Sequence, residues 1–120
     1  MTIKKTLLYL DDIRTPLKKY WKVIRSYRDF VAYVNLYGLD SIEAVSLDHD
    51  LGEEGFTEKT GYDAAKFLID ISIEKEIKLP QIYVHSANPI GSNNIVAYVN
   101  NYLKSCGLSQ NCKRIIIDHK

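Results

Sequence analysis

Apolar residues in this chain gather in two patterns, short continuous runs and stripes at helical spacing, and the two alternate. Thr6-Leu7-Leu8-Tyr9-Leu10 is a continuous run ending in Asp11-Asp12. Unbroken apolarity suits a strand buried on both faces, as in a parallel sheet covered by helices. Pro16 keeps the following loop from turning helical at once. Trp21-Lys22-Val23-Ile24-Arg25 is a second candidate strand. Its direction stays open, because a parallel crossover usually takes about a dozen residues or more. Ser26 then caps a helix with Asp29 as capping-box partner, and Phe30, Tyr33, Val34 and Tyr37 form its apolar stripe up to Gly38.

Ala44-Val45-Ser46-Leu47 reads as the next strand, followed by Asp48-His49-Asp50-Leu51-Gly52. Glu53 to Lys59 is polar and predicts a surface loop, with a lid as the functional alternative. A helix capped by Thr60 is predicted to run to about Ile77, with Ala65, Leu68, Ile69, Ser72 and Ile73 inward. Gln81-Ile82-Tyr83-Val84 is another strand, leading into His85-Ser86-Ala87-Asn88-Pro89. A third helix carries Ile95, Tyr98, Val99 and Tyr102 inward and stops near Gly107. Arg114-Ile115-Ile116-Ile117 is the last predicted strand, ahead of a terminus, Asp118-His119-Lys120, expected to fray. Alternating strands and helices predict one α/β domain over residues 1–120 with a mainly parallel sheet.

Composition narrows the function. With 46% hydrophobic residues and a net charge of +1, the chain has an ordinary core and no polyanion-binding signature, so duplex DNA is not an expected partner. The nine tyrosines and Trp21 can pack or stack bases. Cys106 and Cys112 lack metal-ligand spacing, and no secretory segment is seen, so a reduced, cytoplasmic protein is expected. No apolar run approaches the length that spans a bilayer, so no membrane partner is expected.

Ligands of open α/β sheets bind beyond the carboxyl ends of the strands. Here those ends carry Asp11-Asp12, Asp48-His49-Asp50 and His85-Ser86, with His119-Lys120 a further candidate after the last strand. Side chains alternate along a strand, so Asp48 and Asp50 are expected to share a face while His49 looks away. Asp-His-Asp-Leu-Gly alone is equally consistent with an Asx-type turn. Three separate strands ending in carboxylate, imidazole or hydroxyl groups point instead to a shared site.

Asp11-Asp12, Asp48 and Ser86 resemble, in kind and order, the acidic pair, phospho-accepting aspartate and hydroxyl residue of two-component receiver domains. The chain departs from that pattern in having no room for a helix between its first two strands and none after its last. The receiver lysine beyond the final strand can correspond only to Lys120. Leu10-Asp11-Asp12-Ile13-Arg14-Thr15-Pro16, Ser46-Leu47-Asp48-His49-Asp50-Leu51-Gly52, Thr60-Gly61-Tyr62-Asp63 and Val84-His85-Ser86-Ala87-Asn88-Pro89-Ile90-Gly91 resemble more narrowly the cyclic-phosphate processing receiver domains.

That resemblance implies a receiver-like (flavodoxin-like) three-layer sandwich with a mainly parallel five-stranded sheet lacking the first and last receiver helices. It implies a small phosphoester, a cyclic nucleotide or an RNA end as partner, in RNA repair or conflict systems of bacteria or phages. Opening a cyclic phosphate needs a base, an acid and positive charge. His49 and His85 are the candidate acid and base, and Asp48 joins them as catalytic. Asp11, Asp12 and Asp48 are candidate ligands for Mg²⁺ or Mn²⁺. Arg14, Ser86, Asn88 and Asn94 are candidate substrate contacts, and Asp50 would orient His85 or His49. The alternative is a non-catalytic module that accepts phosphate at Asp48 or binds a cyclic nucleotide or a partner.

Overall fold

A computed structural model describes residues 4–52 and 59–120. The expected loop and lid at 53–58 lie outside them. The order is β1 (Thr6–Leu10), β2 (Trp21–Ile24), α1 (Tyr27–Tyr37), β3 (Ile42–Leu47), α2 (Gly61–Lys75), β4 (Gln81–Val84), α3 (Pro89–Ser105) and β5 (Lys113–Arg114), with a short 3₁₀ turn, Leu39–Ser41, before β3. The strands form one sheet in the order β2-β1-β3-β4-β5, and every strand pair is parallel. The open direction of the second strand is thereby settled: β2 runs parallel to β1, reached through a crossover without a helix. This is the flavodoxin-like receiver fold, with three α-helices among the described residues and none of these before β1 or after β5.

Each βαβ step moves the same way across the sheet, and right-handed crossovers therefore set α1, α2 and α3 on one face. Beneath them lie Leu8, Leu10, Val45, Leu47, Ile82 and Val84, all essentially inaccessible, with Phe30, Leu68 and Ile95 pressed onto them from the helices. By alternation Tyr9 and Ser46 point to the opposite face and are nonetheless fully buried. Ser46 is bonded to His85, whose ring lies under that of Tyr9. Tyr9 in turn meets His119 of the C-terminal tail, which is joined to the first loop by an antiparallel bridge between Pro16 and His119. The outer layer of the sandwich on that side is thus extended chain in place of helices.

The predicted caps are present. Ser26 accepts from the Asp29 amide, Thr60 and Asp63 form a reciprocal capping box, and Gly38 ends α1 at φ 87°. Four expectations need correction. Tyr37 and Ile73 are each 58% exposed, because each sits at the outer edge of its helical stripe. Helix α2 stops at Lys75, where Glu76 takes a left-handed conformation and turns the chain early. The last strand is only Lys113–Arg114, and Ile116 is 99% exposed because the chain leaves the sheet there. The terminus does not fray: Leu17 N–H donates to Asp118 O at 2.7 Å and Lys120 N–H to Thr15 O at 3.0 Å. Cys106 and Cys112 are both free. Trp21 packs edge-on against Tyr9 at 5.9 Å between ring centres.

Gly61 opens α2 against the backbone of the strand end before it. A Cβ there would lie 2.0 Å from the carbonyl oxygen of Asp48, so backbone would have to move. Gly61→Ala is expected to cost about 1–3 kcal/mol, measured as a shift of the urea midpoint.

Candidate active site at the carboxyl rim of the sheet

Strand register assembles the site. Leu10 pairs with Leu47, and Leu47 with Val84. The ladder continues one residue further, with Asp11 N–H donating to Ile24 O (3.1 Å), Asp48 N–H to Leu10 O (2.9 Å) and His85 N–H to Leu47 O (3.0 Å). Asp11, Asp48 and His85 therefore stand side by side at the rim, on the face that carries Tyr9 and Ser46. One ligand atom from each of the three lies within 4.8 Å of the others, and all three residues are buried.

Asp11 is the most heavily bonded of the group. Its Oδ1 accepts from the amides of Ile13 (3.0 Å) and Arg14 (2.9 Å), and its Oδ2 meets Arg14 Nε and His85 Nε2, each at 3.1 Å. Burial alone would raise its pKa. The bonds from His85 and the two amides, with the Arg14 charge, outweigh that and hold the carboxyl well below the usual carboxylate range. Asp48 goes the other way. Burial and the neighbouring Asp11 charge raise its pKa, and the Ser86 hydroxyl, His85 and Arg14 offset this only in part. Arg14 Nη2 lies 3.5 Å from Asp48 Oδ1, so one guanidinium serves both carboxylates.

His85 is wholly enclosed. Its Nδ1 is hydrogen-bonded to Ser46 Oγ at 2.7 Å, its Nε2 faces Asp11, and its ring lies on that of Tyr9 at 4.1 Å and 11°. Both ring nitrogens thus have protein partners. The loop below is stapled by Arg25, which donates to Asp11 O, Arg14 O and Thr15 Oγ1.

The other sequence-derived residues fall in two places. Asp12, Arg14, Asp50 and Ser86 line the same cavity as Asp11 and Asp48. Asp12 is outside the close cluster, its carboxylate sitting against Gly52, and His85 takes the third position. His49 does look away, as alternation predicts. Its ring packs on Gly91 and lines a neighbouring cleft with Asn94, Tyr62 and Tyr98. Asp50 is bonded to His49 Nδ1 at 2.8 Å, so of its two expected partners it meets His49. Asn88 caps α3 by accepting from the Gly91 amide at 2.9 Å, and its amide reaches Asp50 at 3.4 Å. The sequence reading missed Tyr9, Arg25 and Ser46 at the site, and His119 was read as part of a loose end. The available signal was the strand period, since Tyr9 and Ser46 each stand two residues before an aspartate on the same strand face.

A family model for the cyclic-phosphate processing receiver domain matches residues 6–101. The chain belongs to this family. No curated protein and no solved structure matches it. The match takes in Asp11, Arg14, Asp48 and His85, so the rim cluster belongs to the family's own segment, and this receiver-like domain is associated with cyclic-phosphate processing. No described helix is long and apolar enough to cross a membrane.

A metal ion suits the donors of this receiver domain. Two buried carboxylates and an imidazole converge within 4.8 Å of one another, and the carboxylate oxygens are the hard donors that Mg²⁺ or Mn²⁺ takes. Arg14 supplies the balancing positive charge in the structure.

The opposed shifts at the two aspartates give stability predictions of opposite sign. Asp11 has a lowered folded pKa, so its contribution is present above about pH 4, the usual Asp value, and is lost as pH falls below it. Asp48 has a raised folded pKa, so its ionisation costs stability at neutral pH. Asp48→Asn is expected to stabilise by about 0.5–2 kcal/mol at pH 7, with the gain shrinking toward pH 4. Asp11→Asn is expected to destabilise by about 1–3 kcal/mol at pH 7. Thermal melts at the two pH values check both.

Proposed function

We propose that this domain is a metal-assisted phosphoesterase that opens cyclic phosphates, such as the 2′,3′-cyclic ends of RNA or the corresponding nucleotides. The observation that carries this reading is the buried Asp11–Asp48–His85 cluster bridged by the Arg14 guanidinium, in a chain of the cyclic-phosphate processing family. Asp11 and Asp48 would hold Mg²⁺ or Mn²⁺, with the His85 imidazole fixing Asp11 in place. Such an ion would neutralise the phosphoryl oxygens and sharpen a bound water.

The residues of the chain account for the remaining needs. Arg14 is one-third exposed and forked, so its free edge can take a phosphoryl oxygen while the other holds the carboxylates. Asp48 is the less heavily hydrogen-bonded of the two carboxylates, and this suits it to accept a proton from the attacking water as the phosphorus–oxygen bond forms. The ribose oxygen leaves as the ring P–O bond breaks and takes up the proton that Asp48 accepted from the water, which returns Asp48 to its starting state. His85, enclosed with both nitrogens engaged, acts by holding Asp11. Asp50 and His49 link the cavity to the cleft lined by Asn94, Tyr62 and Tyr98.

The test is turnover of 2′,3′-cyclic AMP by pure protein with Mn²⁺ or Mg²⁺, followed by phosphorus NMR. A single monophosphate product is expected, with Asp48→Asn lowering the rate about 10²–10⁴-fold and His49→Ala much less. Absence of product, together with mass gain at Asp48 after acetyl phosphate treatment, would instead identify a phospho-accepting module.

A further inference from the structure

Residues 115–120 lie beyond the segment that matches the family, and yet they reach the rim cluster. The strap is extended, and its side chains alternate: Ile115, Ile117 and His119 are half-buried, while Ile116, Asp118 and Lys120 face outward. It is fixed at both ends. Ile115 N–H donates to Val84 O at 2.8 Å, and the far end pairs with Thr15, Pro16 and Leu17 through the bonds described above. That pairing delivers His119 Nε2 to the hydroxyl of Tyr9 in a short hydrogen bond.

Tyr9 is the pivotal intermediary. It is fully buried on the helix-free face, and its ring covers His85 in a near-parallel stack. A phenol free to rotate about its own side-chain bonds would not define the plane of the imidazole beneath it. A phenol tied at its far end cannot swing away, and the close packing around the fully buried ring holds its plane. The His119 ring sits 6.0 Å from that of Tyr9 and 6.3 Å from that of His85. Three rings from sequence positions 110 residues apart at the extremes thus form one wall behind Asp11.

We propose that the C-terminal strap is part of the site and that His119 is a positioning residue, which by holding the Tyr9 hydroxyl fixes the His85 ring against Asp11. Functionally this makes the rim cluster dependent on a segment outside the family core. The inference rests on the reading of that cluster as the reactive centre, but its structural content is separable from any turnover.

The test is imidazole NMR of the metal-free protein, comparing wild type with Tyr9→Phe, His119→Gln and the double variant. The stacked phenol face should place the His85 ring protons upfield of those of His49. In Tyr9→Phe and in His119→Gln these resonances should move downfield by the same amount, and the double variant should move no further. Ile116→Ala, on the exposed side of the strap, should leave them in place. In a second arm, Mn²⁺ affinity should fall about tenfold in either single variant and no more in the double. His85 resonances that superimpose on wild type in both single variants, with only a lower melting temperature, would reduce the strap to a structural brace and overturn the proposal. A wild-type protein that does not bind Mn²⁺ would count against the metal reading, while the NMR arm would still decide the role of His119.

Discussion

Parallel ladder register is the constraint on which the rest of this molecule depends. Because Leu10, Leu47 and Val84 stand level across three neighbouring strands, the next residue of each strand emerges at the same height and on the same face. Those residues are Asp11, Asp48 and His85. A slip of one position in either pairing would turn one of these side chains to the other face and push an apolar partner to the rim. The hydrophobic face beneath the helices therefore enforces the chemistry on the opposite one. Burial of Leu8, Leu10, Val45 and Val84 leaves no freedom in how the polar ends line up.

The cluster that results is electrostatically lopsided. Two carboxylates share a small buried space with one guanidinium, and the nearby amides favour one carboxylate over the other. Asp11 collects the amides of Ile13 and Arg14 and is a settled anion. Asp48 receives fewer donors and retains a proton more readily. Environments that push paired titratable groups apart are the usual basis for dividing roles between them. Among the described residues no buried side-chain polar atom is without a partner, so this division is built into a complete network.

The face without helices shows how a receiver-like sheet can do without its terminal helices. Tyr9 and Ser46 would be exposed on a bare sheet. His85 meets Ser46, and the tail around His119, cross-linked to the segment around Pro16 by backbone bonds, meets Tyr9. This cover is thin, and it is made of residues whose polar groups also reach the site.

Most of the fold was legible in the chain itself, for local reasons. Continuous apolar runs marked β1, β3 and β4, and Ser26, Thr60 and Gly38 marked helix ends, because caps and strand burial are written in adjacent residues. The residues at the strand ends also announced a site, since charges in that position are costly without partners. Tertiary structure alone decided the rest. The direction of β2 depended on a helix-free crossover, and the partnership of Asp11 with His85 spans 74 positions. His49 and His85 look alike in sequence, but only packing turned one toward Gly91 and the other onto Tyr9. His119 could be read in the sequence as a polar residue following the last strand, but nothing local told what it meets. Its place follows from a bridge to Pro16, at the other end of the chain, and long-range pairing of that kind leaves no trace in neighbouring residues.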